Sequence, residues 1–158
     1  MSGEGRRYQA NGFIPINEPP ARRSCIAATV TIVKGDVLHD NGSGLLTNAT
    51  TALDSATLMG IAAEDCDNSG GSATLECAYY PIDSKTLYIA PVAANAEIAQ
   101  TAIGSKIDLE NNDDLDISDT VTTGSAFFVT AIDICALAIA ANTYGYAIGH
   151  FGLVVTES

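Results

Sequence analysis

Few residues of this chain combine the type and spacing that chemistry requires. It has two histidines. His39 precedes Asp40 in a stretch that reads as a turn, and His150 lies in Tyr146 to Phe151, which reads as a strand. Catalysis needs convergent groups, such as a nucleophile beside a base or a pair of carboxylates. No G-x-S-x-G or H-E-x-x-H element occurs. Gly35-Asp36 and Gly42-Ser43-Gly44 lack the following Gly-Lys-Ser/Thr of a phosphate loop. The residues point away from an enzyme, and no cofactor is expected.

Three other groupings invite a ligand. Asp113, Asp114, Asp116 and Asp119 supply the oxygens that calcium prefers, but their spacing departs from D-x-[DN]-x-[DN]-G-x₅-E. They read as a solvated turn and are weak metal candidates. Cys25, Cys66, Cys77 and Cys135 are separated by 41, 11 and 58 positions, which fits no zinc or redox motif. The expectation is reduced core residues, with one or two late disulfides as the alternative. Tyr79-Tyr80 and Phe127-Phe128 could stack on bases. Adjacent residues of a strand point to opposite faces, so neither pair makes one platform.

The charge distribution narrows the partners. The chain has 158 residues and a net charge of −12. Residues 1–23 hold Arg6, Arg7, Arg22 and Arg23 against Glu4 and Glu18, a balance of +2. The remainder holds three lysines against seventeen acids, a balance of −14. Such a body repels nucleic-acid phosphates and anionic lipid, so neither nucleic acid nor membrane is an expected partner. Charged residues make up 16%, against about 25% in an average soluble domain. A surface of Ala, Thr, Ser, Asn and Gly is cheap to desolvate, and part of it is expected to be covered by copies of the chain or by a partner. No apolar h-region opens the chain, and the longest apolar run, Ile134 to Ala141, suits a buried strand.

The elements that must position these residues are mostly strands. Residues 1–24 carry Pro15, Pro19 and Pro20 among scattered apolar side chains and read as an extended arm; 25–158 read as one β-rich body. The arm could reach ~80 Å if fully extended. Its expected partner-binding residues are Arg6, Arg7, Tyr8, Phe13, Ile14, Ile16, Arg22 and Arg23, with packing along its own body as the alternative. A period of two over Ile26 to Val33 predicts a strand with Ile26, Ala28, Val30 and Ile32 on one face. Val37 to His39, the turn Asp40 to Gly44, and a hairpin joining Leu58–Glu64 to Ala73–Tyr80 follow. Thr86 to Ala90 is another strand, and Asn95 to Ile103 offers a short helix ended by Gly104. Ile107–Glu110 and Leu115–Ser118 alternate around Asn111 to Asp114, predicting a hairpin with an acidic outer face. Phe127–Ile134, Tyr144–Phe151 and Leu153–Val155 complete a mainly β fold, a small barrel or sandwich.

This order of elements resembles a known family. Val33-Lys34-Gly35-Asp36-Val37-Leu38 follows a first strand; Leu58-Met59-Gly60-Ile61-Ala62-Ala63-Glu64-Asp65, the Ala-rich stretch 96–104, the acidic hairpin and Tyr146-Ala147-Ile148-Gly149-His150-Phe151 come after it. Over residues 26–151 the chain looks like the capsid decoration, or cement, proteins of tailed bacteriophages. The resemblance implies a β-tulip-like or barrel-like body, often a homotrimer, seated on the outside of the virion after synthesis in the host cytoplasm. It also implies the major capsid protein as partner and an arm that laces neighbouring subunits. A phage tail or fibre accessory module and a calcium-stabilised adhesion module are the alternatives.

Overall fold

The computed structural model describes residues 12–49, 58–83, 85–92, 103–121, 127–133 and 146–151. The fold is all β: thirteen strands and no helix among the described residues. In chain order they are β1 (Ile14–Pro15), β2 (Arg22–Cys25), β3 (Thr31–Ile32), β4 (Val37–Asp40), β5 (Leu46–Asn48), β6 (Leu58–Ala62) and β7 (Cys66–Asp67). There follow β8 (Glu76–Pro81), β9 (Tyr88–Pro91), β10 (Lys106–Asn111), β11 (Asp114–Val121), β12 (Phe127–Asp133) and β13 (Tyr146–Phe151). The stretches 95–102, 134–141 and 153–155, where a helix and further strand were expected, lie outside the described residues.

Two larger sheets carry the fold. One has six strands in the order β1-β9-β13-β12-β10-β11; the other has five, β2-β8-β6-β4-β5; β3 and β7 form a small ribbon. Every ladder within the sheets is antiparallel. Each sheet curls until one isolated parallel bridge links strands at or near its ends: Val92, just after β9, with Leu115 of β11 in the six-stranded sheet, and Ile26, just after β2, with Leu46 of β5 in the five-stranded one. Neither is closed into a barrel, because no continuous ladder joins those ends.

The period of two explains the packing. In the five-stranded sheet, Val37, Ile61 and Tyr80 face one apolar cluster, while their neighbours Leu38, Ala62 and Tyr79 face another. That sheet is therefore apolar on both faces. The six-stranded sheet sends Tyr88, Ala90, Ile107, Leu109, Leu115, Phe127, Val129, Ala147 and Phe151 into the first cluster, which the two sheets share. Close approach requires glycine at two ladder positions. A Cβ on Gly60 would overlap the Tyr80 carbonyl oxygen, and one on Gly149 the Phe128 carbonyl oxygen.

Two sequence expectations are corrected. The strand predicted over Ile26 to Val33 is broken: only Thr31 and Ile32 pair as a strand, and Thr29 has φ 62°. Asn68 explains the break. Its buried amide donates to the carbonyls of Ile26 (3.3 Å), Ala27 (3.0 Å) and Ser72 (2.9 Å) and accepts from the Ser72 amide (2.8 Å). These bonds satisfy backbone groups that a sheet ladder would otherwise have to serve. The second correction concerns the arm. Phe13 is 2% exposed within the first cluster, packed on Phe127 and Phe151 at ring-centroid distances of 5.7 and 4.9 Å. β1 and β2 are edge strands of the two sheets. Residues 12–25 thus run along the body, with Pro15 on the edge where a missing N–H is tolerated.

Candidate functional site

The sites suggested by sequence are dispersed. His39 lies on β4 and His150 on β13, in different sheets. Asp40 is engaged in its own turn, its Oδ1 accepting from the Gly42 and Gly44 amides at 2.7 and 2.9 Å. Tyr79 and Tyr80 point into separate clusters. Phe127 points inward, while Phe128 stacks on His150 at 5.3 Å and 24°. Neither aromatic pair forms a platform, as the strand period requires.

The acidic hairpin is present as β10 and β11, turning at Asn112–Asp113. Asp114, Asp116 and Asp119 lie along β11, and Asp116 stands opposite Asp108 in the ladder. The hairpin tip packs against the other sheet, where the Val37 amide donates to the Asn112 carbonyl at 2.7 Å. Asp113 is there a negative neighbour of Asp36. Burial, opposed by the Val33 amide and aided by Asp113 and Asp65, pushes the Asp36 carboxyl up to about 6.

Of the expected arm residues, Arg6, Arg7 and Tyr8 lie outside the described residues. Phe13 is in the core; Ile14 is half-buried on β1; Ile16 is 51% exposed; Arg22 is exposed on β2. Arg23 pairs with two body carboxylates, Glu64 (3.3 Å) and Glu76 (3.4 Å). One of the four arginines expected to bind a partner thus meets acids of its own chain.

The outward face of the six-stranded sheet is built by the same alternation that fills the core. Ile14 stands opposite Ile89, Ile89 opposite Ile148, and Ile148 opposite Ala131, so one uncharged row crosses β1, β9, β13 and β12. All four are half-buried. The next row holds His150, Phe128 and Lys106.

Sequence reasoning missed one convergence. The ligating atoms of Glu64, Cys66 and Cys77 all lie within 4.8 Å of one another. Glu64 follows the end of β6, Cys66 opens β7, and Cys77 is on β8, in the second cluster. The Cys66 thiol donates to Glu64 Oε2 at 3.7 Å, and the Cys77 thiol to the Glu64 carbonyl at 3.7 Å. Glu64 Oε2 also accepts from the Ala78 amide at 3.0 Å. That amide and the Arg23 guanidinium hold the Glu64 carboxyl below the usual range, while burial pushes both thiols up. The expected hairpin Leu58–Glu64/Ala73–Tyr80 was the available signal, since it brings the end of one strand beside the start of the other.

No helix among the described residues is long and apolar enough to cross a membrane. The chain matches no family model and no curated protein.

Proposed function

We propose that this chain is a non-enzymatic structural protein that binds the outer surface of a phage capsid and cements neighbouring major capsid protein subunits. The observation that carries the reading is the uncharged row Ile14, Ile89, Ile148 and Ala131 on the outward face of the six-stranded sheet. Such a face gives up water cheaply, because no charged group in the row must be stripped of its hydration. On a capsid every site repeats, so a modest contact per subunit adds up through multivalency, above all in the homotrimer the resemblance implies. A protein that binds only the assembled shell stabilises that shell by mass action.

The resemblance to decoration proteins and the sandwich-like stacking of two curled sheets support the same reading. With Phe13 engaged in the chain's own core, lacing falls to residues 1–11, which include Arg6, Arg7 and Tyr8, and to the exposed Ile16 and Arg22. The virion exterior is the corresponding location.

The test is sedimentation of the purified protein alone and with undecorated heads. Saturable co-sedimentation at a ratio compatible with capsid symmetry supports the reading. Absence of binding at every salt and calcium concentration overturns it, and co-purification with tails would assign the chain to a tail module.

A further inference from the structure

We propose that Glu64, Cys66 and Cys77 form a binding site for a thiophilic divalent cation of the zinc class. The proposal is independent of the capsid reading. Three ligating atoms of suitable type already lie within 4.8 Å of one another. Zinc–sulfur and zinc–oxygen bonds of about 2.3 and 2.0 Å in a tetrahedron place ligand atoms roughly 3.5–3.8 Å apart. A small inward movement therefore completes the set. The charges also balance: two thiolates and one carboxylate carry −3, against +2 on the cation and +1 on Arg23, whose Nη1 lies 3.3 Å from Glu64 Oε2.

The site is supported from outside its ligands. The Ala78 amide and Arg23 both bind Glu64 Oε2 and fix that carboxylate, the role that outer partners play in metal sites. Cys77 is fully buried and anchored in the second cluster, whereas Glu64 and Cys66 are half-buried. The fourth position of the tetrahedron therefore opens on the Glu64 side, where water or a partner's side chain can enter. Two sulfurs select zinc, cadmium or cobalt(II) over calcium and magnesium, which take oxygen ligands. A cation here would tie Glu64 and the start of β7 to the start of β8.

The experiment uses the full reduced chain titrated with cobalt(II) and then zinc. The expected result is saturable 1:1 binding with a thiolate-to-cobalt charge-transfer band, reversal by zinc, no response to calcium, and a melting temperature raised by zinc. The band and the shift persist in the double variant Cys25→Ser/Cys135→Ser and vanish in Cys66→Ser. Cys66 is half-buried, so its variant is expected to keep the native far-ultraviolet spectrum, whereas Cys77→Ser disturbs the core. Absence of the band in the reduced chain, or its survival in Cys66→Ser, overturns the proposal. So does a Cys66–Cys77 disulfide that persists under the reducing conditions of the titration.

Discussion

The two apolar clusters are held together in different ways. The first, between the sheets, is large and aromatic: Phe13, Tyr88, Phe127 and Phe151 meet at ring-centroid distances of 4.9–5.7 Å. The second lies on the other face of the five-stranded sheet and is small, with Ile26, Ile32, Leu38, Leu46, Ala62, Cys77 and Tyr79. Its rim is polar and specific. Asn68 is 1% exposed and ties three carbonyls together, and Glu64 ties β8 to the segment after β6. The first cluster rests on area removed from water, whereas the second also depends on the buried Asn68 amide finding its partners. Substitutions should therefore damage the two regions by different mechanisms.

The largest expected effect is in the aromatic cluster. Phe13→Ala should cost about 3–5 kcal/mol in chemical denaturation, since it leaves a ring-sized void among Phe127 and Phe151. Deletion through residue 24 should destabilise the body by at least as much as Phe13→Ala. Unchanged stability of that truncation would contradict the placement of Phe13.

Asn68→Ala comes next. It strands the carbonyls of Ile26, Ala27 and Ser72 and should cost about 2–3 kcal/mol with little change in denaturant slope. Amide exchange should accelerate around residues 26–31 and 68–72 and remain slow in β12 and β13. Uniform acceleration would mean that the clusters do not differ in the way described. Gly149→Ala should cost about 1–3 kcal/mol through overlap with the Phe128 carbonyl, and Gly60→Ala a similar amount through Tyr80.

The smallest effect is electrostatic. The Asp36 carboxyl is pushed up to about 6, above its ordinary value of 3.8, so the folded state binds the proton more tightly. Its contribution is complete below pH ~4 and is lost as pH rises towards ~6. Asp36→Asn keeps an acceptor for the Val33 amide and should flatten this part of the stability curve. It should also match or exceed the parent at pH 7. Thermal melts from pH 4 to 7 measure this, and an unchanged pH profile would contradict it.

How much of this the sequence foretold depends on the range of the interactions. The acidic hairpin and the pairing of Leu58–Glu64 with Ala73–Tyr80 were legible, because alternation and a nearby turn are local signals. The break at Thr29 was not, since it depends on Asn68, 42 residues beyond Ile26. Phe13 read as an anchor for a partner because prolines surround it; the space it fills is made by β12 and β13, more than a hundred residues later. Cys66 and Cys77 fit no linear motif, yet adjoining segments bring them together. The outward row of the six-stranded sheet needed the register of four strands before it could be seen.

That row carries the central claim, and paired variants test it most directly. Ile89→Thr/Ile148→Thr keeps β-branched side chains and so the strands, but removes apolar area from the outward face. Binding to undecorated heads should weaken by roughly tenfold or more, the equivalent of about 1.4 kcal/mol, while the melting temperature stays close to that of the parent. Full binding by the folded double variant would show that the six-stranded sheet does not face the capsid and would contradict the account.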